Sequence, residues 1–468
     1  MTTRAEDSAE DNAPATLTEL IRASARQWPE RVAVGVCASD GVLNGVLTYR
    51  ELEAAVDELA TELARRGVCR QDTVAVAGDN CVELVVALFA LAAIGASAAP
   101  LNPRTAPAQF AEQLRQVHAR ATIVPAHPYG EHCLRRQLPA SPPVWKLAVD
   151  LHAQAEGVAR VELTGPRLAD RRWGATAPPR PADPALLMLT SGTTAAPKVV
   201  PLTHANLMAA VNGISGVYRL TPQDATLVVM PVCHGHGLIA GLLATLVSGG
   251  GAYLPGGGRF SAGDFWSDMA AAQATWFTAG PTINRILLAR AAEGAAREYP
   301  ALRFIRSYGA PLAPAALRQL EAAFAAPALE AYGMTEAAHQ IAATPLPGDG
   351  PAKPGSVGPP TAVELQVTLP DGRPARIGEQ GEVWIRGDSV ASGYLGDPRA
   401  TAAGFSHGWF RTGDFGHVDA DGYLFLGGRM TEVVDRGTLL PGVVGEVRDV
   451  GEVREVREIT EVGEVSEV

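Results

Sequence analysis

The sequence predicts an α/β fold in which helices cover β-sheets, and three observations support this prediction. Helix-like segments, with apolar residues three and four positions apart, alternate with short apolar and β-branched runs along most of the chain. The 468 residues allow about three domains or subdomains at roughly 150 residues each. From about residue 355 the pattern changes to short strands separated by Gly and Asp turns, which predicts a smaller β-rich subdomain.

The N-terminal part of the chain carries clear signals for individual elements. Thr48 and Glu51 form a capping-box pattern, which predicts a helix that continues through regularly spaced apolar residues. Residues 73–77 predict a short buried strand. The uncharged stretch 84–101 approaches membrane-spanning length, but glycine and proline interrupt it, so it predicts a buried helix that leads into a strand. Further strand-like segments are residues 122–125, 186–189, 226–230, 274–278 and 303–305.

Three segments differ from the alternating pattern. A proline-rich stretch, residues 177–184, separates two portions of that pattern and is interpreted as a connector. Residues 1–16 are polar and acidic without an apolar core, so we expect disorder there and no signal peptide. From residue 446 the chain repeats an acidic, an apolar and a variable residue. A period of three matches neither helix nor strand, so no packed domain is expected in this tail.

Composition and charge argue against several classes of protein. Hydrophobic residues make up 47% and charged residues 19% of the chain, which is typical of a globular protein and not of a disordered or multi-span membrane protein. The net charge of −11 comes from 39 basic and 50 acidic residues. The sequence has no long basic run, so a nucleic-acid-binding surface is not expected. The five cysteines lie at least twelve positions apart, which fits neither a disulfide framework nor a zinc site. We therefore expect a cytoplasmic protein, and the oligomeric state stays open.

The strongest chemical signal is the segment 190–198, Thr-Ser-Gly-Thr-Thr-Ala-Ala-Pro-Lys, which follows the apolar run 186–189. Hydroxyl side chains and glycine in a loop after a strand can present O–H and N–H groups to phosphate oxygens. A lysine at the end of the loop adds a positive charge. The spacing is not that of a Walker loop, and such a segment taken alone is more often a solvated turn.

The segment 190–198 resembles the phosphate loop of adenylate-forming enzymes, a family that includes acyl-CoA synthetases, 4-coumarate-CoA ligases, luciferases and peptide-synthetase adenylation domains. The resemblance implies a large AMP-binding N-terminal domain over residues 17–428. It would contain two α/β subdomains and a β-rich subdomain at about 355–428. Six further motifs occur in the family's order, at residues 47–52, 94–103, 230–237, 332–336, 393–394 and 411–414, the last followed by residues 421–423 and 428–429.

The resemblance implies an ATP site whose residues can be placed one by one. The hydroxyl loop would hold the β- and γ-phosphates, which Mg²⁺ bridges. Thr335 would bond to the α-phosphate, and Glu336 would coordinate the Mg²⁺ through oxygen. Tyr332 would stack on adenine and Asp414 would accept both ribose hydroxyls, unless they are a core tyrosine and a turn cap. The implied catalytic residues are Thr335, Glu336 and Lys198, and the other nucleotide-binding residues are Thr190, Ser191, Gly192, Thr193, Thr194, Gly309, Ala310, Pro311, Gly333 and Arg429.

The implied reaction is attack of a substrate carboxylate on the α-phosphorus of ATP, with release of pyrophosphate and formation of an acyl-adenylate for transfer to CoA. Such an in-line displacement depends on positioning and on neutralisation of charge. Two positions depart from the family pattern, because Ala195 and Val199 stand where glycine is usual. Val199 is the more doubtful change, since a β-branched residue is strained at positive φ.

The middle of the chain resembles the oxalate-CoA ligase branch of the family, so the best candidate substrate is oxalate. A dicarboxylate has a second anionic group that a polar, cationic lining must match. We expect His236 and His339, helped by Arg306, to face the substrate. The alternative is that His339 is a surface residue at a helix end. A medium-chain or aryl acid stays open as the substrate.

In this family a small C-terminal domain of about 100 residues follows a hinge and brings a catalytic lysine to the acyl-adenylate. Here the hinge would be residues 429–437, after which the resemblance stops and residues 438–468 form the acidic low-complexity tail. The chain has three lysines, and none follows Lys353. We therefore expect a truncated C-terminal domain, weakened adenylation and no efficient transfer to CoA. The alternatives are a non-catalytic nucleotide- and acid-binding pseudoenzyme and an adenylation domain that serves a carrier protein.

Overall fold

The computed structural model describes residues 14–38, 42–126, 142–151, 160–168, 178–190, 197–294 and 299–429. The α-helices are α1 (Leu17–Gln27), α2 (Tyr49–Arg65), α3 (Val82–Ala93), α4 (Pro107–Gln116), α5 (His204–Val217), α6 (Ala244–Val247), α7 (Phe265–Ala271), α8 (Pro281–Glu293), α9 (Pro314–Phe324) and α10 (Pro398–Gly404). A π-helix (His236–Leu243) leads into α6, and a 3₁₀ turn (Thr335–Ala337) follows the fourteenth strand.

The strands form three sheets. They are β1 (Val32–Cys37), β2 (Leu43–Thr48), β3 (Thr73–Ala77), β4 (Ser97–Leu101), β5 (Ala119–Pro125), β6 (Val144–Asp150), β7 (Arg160–Thr164), β8 (Pro184–Leu189), β9 (Val199–Thr203), β10 (Ala225–Leu227), β11 (Gly251–Leu254), β12 (Trp276–Ala279), β13 (Phe304–Tyr308), β14 (Ala328–Tyr332), β15 (Ala342–Ala343), β16 (Glu364–Thr368), β17 (Gly381–Arg386), β18 (Phe405–Ser406), β19 (Trp409–Val418) and β20 (Leu424–Arg429).

The seven-stranded sheet has the order β7-β6-β5-β3-β4-β8-β9. Its central strands run parallel, and antiparallel β7 and β9 close its two edges. Every residue of β3 and β4 is buried, as expected for parallel strands that helices cover on both faces.

The eight-stranded sheet has the order β15-β14-β13-β12-β10-β11-β1-β2. Its central strands are also parallel, with antiparallel pairs at both edges. Helix α3 lies between the two large sheets and contacts strands of both. It is apolar on all sides and almost wholly buried, because no face of it is left for solvent.

The third sheet is antiparallel and contains β16, β17, β19 and β18 in that order, with β20 paired to β19. It has its own small core, which includes Val383, Ile385, Phe410 and Leu424. The predicted α/β class, with two helix-flanked sheets and a smaller β-rich part, is therefore confirmed.

Most predicted elements are present with small shifts. The capping box at Thr48 and Glu51 begins α2, and the stretch 84–101 contains most of α3 and all of β4. The segment 226–230 is shorter than predicted, because β10 ends at Leu227.

The proline-rich segment does not separate two sheets. Strands β7 and β8, which precede and follow it, belong to the same seven-stranded sheet. Strand β7 is one edge of that sheet, and β8 lies next to the opposite edge strand, β9. The chain crosses between the two large sheets from β2 to β3 and again from β9 to β10. The predicted hinge beyond Arg429, the acidic tail and most of the N-terminal residues 1–16 lie outside the described residues.

Candidate active site

Candidate residues from distant parts of the sequence follow directly after parallel strands. Thr190 follows β8, residues 309–311 follow β13, and Tyr332 ends β14, just before the 3₁₀ turn. In open α/β sheets the carboxyl ends of parallel strands form the crevice in which ligands bind. Thr190 lies at such an end in the seven-stranded sheet, and residues 309–311 and Tyr332 lie at such ends in the eight-stranded sheet.

The neck of the phosphate loop is closed by two hydrogen bonds. The backbone N–H of Thr190 donates to the Lys198 carbonyl, and the Lys198 N–H donates to Thr190 Oγ1, both at 3.0 Å. Ser191, Gly192, Thr193, Thr194 and Ala195 lie outside the described residues. Val199 starts β9, pairs with Leu189 and has no positive φ, so the strain predicted for a β-branched residue does not arise there.

Tyr332 and Asp414 are joined by a 2.5 Å hydrogen bond from the phenol to Oδ2. Asp414 lies on β19 and is only 8% exposed, and its backbone N–H donates to Thr412 Oγ1. Burial and the adjacent Asp414 carboxylate raise the pKa of Tyr332 well above its usual value, so the phenol stays a donor. The bond fixes the ring of Tyr332 beside the carboxylate that is predicted to take the ribose.

Glu336 is fixed by Tyr394, whose phenol donates to Oε1 at 2.8 Å. The ring of Tyr394 also lies 4.6 Å from Lys198 Nζ, in a cation–π contact. The backbone N–H of Leu395 donates to the carbonyl of Val199, which ties this segment to the phosphate-loop strand. Tyr394 therefore lies between two predicted catalytic residues, Lys198 and Glu336.

The turn after Tyr332 is tightly constrained. A Cβ on Gly333 would lie 1.6 Å from the carbonyl oxygen of His339, so only glycine fits there. The turn closes through a hydrogen bond from the His339 N–H to the Met334 carbonyl. Ala338 and His339 both have positive φ, 46° and 95°, which costs non-glycine residues about 1–3 kcal/mol each. This strained turn directs His339 inward, where it is 2% exposed, so it is not a surface residue.

Arg306 on β13 is fully buried and makes four hydrogen bonds to neutral side chains. Nε donates to the Tyr218 hydroxyl at 3.2 Å, and Nη1 donates to Thr278 Oγ1 at 2.9 Å. Nη2 contacts His339 Nε2 at 3.1 Å and donates to Gln340 Oε1 at 2.8 Å. No carboxylate forms an ion pair with Arg306 in the described part of the chain.

His236 begins the π-helix and stacks on His339 with ring centroids 5.4 Å apart. Its Nε2 lies 2.6 Å from Thr278 Oγ1. Burial and the Arg306 charge hold the pKa of both histidines well below the usual value. Both rings are therefore neutral at physiological pH, and the positive charge of this cluster resides on Arg306.

A small cavity, about 10 Å³ of which is open to water, lies between His339 and the turn that carries Thr335. Thr335 and His339 both line it, together with Tyr308 and His234. Met188, Leu202 and Ile239 supply the apolar wall. The cavity therefore lies between the residue predicted to bind the α-phosphate and one predicted to bind the acid.

The other predicted nucleotide residues lie after β13 and at the end of β20. Gly309, at φ 104°, begins an exposed turn with Ala310 and Pro311. Arg429 ends β20, where its backbone pairs with that of Asp414.

Several site residues have no role in the sequence-based prediction. Tyr394 belongs to a predicted motif, but the sequence indicates no individual role for it. Four further residues contact the predicted Arg306, namely Tyr218, Thr278, Tyr308 and Gln340. Tyr308 immediately precedes Gly309, so its position at a strand end is the one signal that could have indicated it. Tyr218 lies at the end of α5, and only the folded chain brings it to Arg306.

Glu336 fits a magnesium ligand of a particular kind. Among the residues that the structure describes, no group of three or more His, Cys, Asp or Glu side chains could hold a metal ion. Mg²⁺ is commonly held by one or two carboxylates together with substrate phosphates. A single carboxylate oriented by Tyr394 agrees with an ion that arrives with the nucleotide.

The described helices include none long and apolar enough to cross a membrane. In the part of the chain that the structure describes, Cys37, Cys81 and Cys233 are free.

Comparison with known proteins agrees with the geometry. The profile of the AMP-binding enzyme family matches residues 21–395. The chain is 41% identical over 429 residues to an oxalate–CoA ligase of Arabidopsis thaliana, covering 90% of this chain and 80% of that protein. It is 36% identical over 427 residues to a sulfoacetate–CoA ligase of Cupriavidus necator, covering 90% and 80%.

Solved structures show the same architecture. Apo MatB from Rhodopseudomonas palustris superposes with a TM-score of 0.73 at 26% identity, covering 89% of this chain and 79% of that one. The Bacillus subtilis O-succinylbenzoate coenzyme A synthetase with ATP and magnesium ion gives 0.71 at 25% identity, covering 88% and 79%. The chain therefore belongs to the AMP-binding enzyme family, and its reaction class is that of the AMP-forming acyl-CoA ligases.

Proposed function

We propose that this ligase activates a small acid with two anionic groups, with oxalate as the first candidate. The observation that carries the proposal is Arg306, a fully buried cation whose described hydrogen-bond partners are all neutral. Burying a charge without a counterion is costly, and an anion beside it recovers part of that cost. The second carboxylate of the substrate, held in the cavity beside His339, would be that anion.

The size of the cavity favours a short acid. About 10 Å³ of it is open to water, compared with roughly 300–1,000 Å³ for pockets that hold drug-sized ligands. Tyr308 and His339 line the cavity and pack against each other and against His236, which leaves little room for a long acyl chain on this side.

The names of the relatives agree with this substrate class. Two of them, from Arabidopsis thaliana and Saccharomyces cerevisiae, are oxalate–CoA ligases, and a third is a sulfoacetate–CoA ligase. Oxalate and sulfoacetate are both two-carbon acids with a second anionic group. Sulfoacetate is therefore the competing substrate to test.

In the proposed reaction one oxygen of the acid attacks the α-phosphorus, and the bond from that phosphorus to the pyrophosphate oxygen breaks. Thr335 would hold an α-phosphate oxygen at the edge of the cavity, and Lys198 would approach the phosphates from the end of the loop. Tyr332 and Asp414 would hold the adenosine. Magnesium, when bound at Glu336, would neutralise charge on the phosphates.

The proposed test is pyrophosphate exchange into ATP, measured with a panel of acids against a no-acid blank. We expect exchange with oxalate, and weaker exchange with acetate, hexanoate and benzoate. Exchange with hexanoate or benzoate but not with oxalate or sulfoacetate would overturn the proposal. ATP binding by calorimetry without exchange for any acid would instead support the pseudoenzyme.

A matched pair of variants tests the role of the buried charge. We expect Arg306→Gln to raise the oxalate KM about tenfold or more, the effect typical of losing a charged partner in a buried site. Arg303→Gln is the control. Arg303 directly precedes β13, the strand that carries Arg306, but it pairs with Asp224 and is partly exposed. Equal oxalate KM values for the two variants would contradict the proposal.

We retain the domain assignment as part of the proposal. Residues 17–428 would form the AMP-binding part, residues 429–437 the hinge and residues 438–468 the low-complexity tail.

A further inference from the structure

We infer that Arg306 is a positioning residue that fixes His236 and His339 in the same tautomer, with the proton on Nδ1, and that His339 presents this N–H to the acid. The inference rests on the proposed function for the identity of the acid. The tautomers themselves follow from the hydrogen bonds of the buried cluster alone.

The argument for His339 is the simpler one. A guanidinium group has five N–H donors and no acceptor. Because Nη2 of Arg306 lies 3.1 Å from His339 Nε2, that nitrogen must be the unprotonated acceptor of the pair. The proton of the neutral ring therefore resides on Nδ1. This nitrogen lies on the side of Gly235, 3.7 Å from the place of a Cβ on that glycine, and Gly235 lines the cavity.

The argument for His236 passes through Thr278. Its hydroxyl accepts from Arg306 Nη1 at 2.9 Å and lies 2.6 Å from His236 Nε2. A hydroxyl has one proton to donate, and Thr278 is 2% exposed with no other acceptor among its described contacts. If His236 donated instead, the Thr278 proton would be buried without a partner, which is costly. Thr278 therefore donates to Nε2, and the proton of His236 is on Nδ1.

The surroundings keep both rings neutral. Four ionisable groups lie near the two rings, namely Arg306 and Tyr308 on β13, Tyr218 at the end of α5 and His234 before the π-helix. Burial and the carboxylates of Glu336 and Asp414 raise the pKa of Tyr308, which the two carboxylates face from the 3₁₀ turn and from β19. Burial and the charge of Arg306 oppose a second positive charge on either ring, which lowers the pKa of both. The donor pattern offered to the acid is therefore constant over the physiological pH range.

The inferred arrangement separates two tasks. Arg306 supplies the positive charge from the Nε2 side of His339, and His339 supplies an oriented, neutral N–H donor. A neutral N–H group binds a carboxylate without first having to be protonated, so the affinity for the acid would not depend on histidine titration.

The test is nitrogen-15 NMR of the full chain labelled at histidine, with His236→Gln and His339→Gln used to assign the two signals. We expect unprotonated Nε2 and protonated Nδ1 for both residues, unchanged from about pH 5 to 8. An Nε2–H tautomer for either residue, or titration within that range, would overturn the inference whichever acid the enzyme uses.

Thr278→Val provides a variant of nearly the same shape that leaves Arg306 in place. We expect His236 to lose its fixed tautomer while His339 keeps it, because only the path through Thr278 is removed. Arg306→Lys keeps the positive charge but removes the planar guanidinium group and its directed hydrogen bonds, so we expect mixed tautomers at both rings. Unchanged His236 signals in Thr278→Val would contradict the conclusion that Arg306 fixes the tautomer of His236 through Thr278.

Addition of oxalate, with acetate as the control, distinguishes this inference from the proposed function. We expect oxalate, and not acetate, to shift the Nδ1–H signal of His339. The expected tautomers with no shift from oxalate or sulfoacetate would overturn the binding role and the proposed substrate, while the tautomer assignment would stand.

Discussion

The phenol of Tyr394 donates a 2.8 Å hydrogen bond to Oε1 of Glu336. The same ring lies under the ammonium group of Lys198. One side chain from the loop before α10 therefore fixes the carboxylate proposed to hold magnesium and contacts the lysine that ends the phosphate loop. Burial and the Glu336 carboxylate raise the pKa of Tyr394, so the phenol remains a donor at all physiological pH values.

Tyr394→Phe removes this hydrogen bond but keeps the ring under Lys198. We expect pyrophosphate exchange to fall about tenfold, because hydrogen bonds to charged groups contribute about 1.5–3 kcal/mol. We also expect a higher magnesium concentration at half-maximal rate. Tyr423→Phe is the matched control, since its ring lies under Lys353 in the β-rich subdomain. Identical magnesium curves for wild type and Tyr394→Phe would contradict this prediction.

Asp414→Asn changes a charged acceptor into a neutral amide beside Tyr332. We expect ATP affinity, measured by calorimetry, to fall about tenfold or more, since charge-assisted hydrogen bonds are roughly twice as strong as neutral ones. Asp371→Asn removes an exposed carboxylate that pairs with Arg373 in a turn and should leave ATP binding unchanged. An unaltered dissociation constant for Asp414→Asn would mean that this carboxylate serves the Tyr332 contact alone.

Gly333→Ala places a methyl group where the carbonyl oxygen of His339 lies. We expect a loss of about 1–3 kcal/mol of stability, as for other overpacked sites, together with loss of pyrophosphate exchange. Gly216→Ala is the control, because a Cβ at this position in α5 meets open space and alanine favours a helix. The two melting temperatures should move in opposite directions, and a shared direction would argue against the steric explanation.

Asp268 makes stability depend on pH away from the site. It is 3% exposed, its Oδ1 has no hydrogen-bond partner, and burial, with a smaller effect of Asp264, raises its pKa to about 6. An unfolded aspartate has a pKa of about 3.9. Ionisation of Asp268 therefore lowers the free energy of unfolding progressively as the pH rises from about 4 to 6, and the loss is complete above about pH 6. We expect Asp268→Asn to raise the melting temperature at pH values above about 7 and to gain little near pH 4. A gain that is equal at both pH values would contradict the titration of Asp268.

The sequence predicts local features well where one element determines them. The capping box at Thr48 and the buried strand 73–77 depend on neighbours a few positions away, and both are present in the structure. The residues predicted to bind ATP belong to short contiguous motifs, several of which follow strands.

Contacts between distant residues could not be predicted in the same way. Arg306 meets Tyr218 across 88 positions of sequence, and no periodicity indicates that the two share a buried cluster. The histidines were expected to supply positive charge to the acid site. Their low pKa values arise from burial, which only the assembled sheets produce, so the charge resides on Arg306 instead.

The membership of β1 in the eight-stranded sheet determines the order in which this chain can fold during synthesis. Strands β3 to β9 are contiguous in sequence and can assemble the seven-stranded sheet early. By contrast, Val34 of β1 pairs with Ala252 of β11, about 220 positions later. Two strands near the N-terminus must therefore wait, with apolar residues exposed, until the ribosome has delivered more than half of the protein. Chaperone demand should be greatest in that interval.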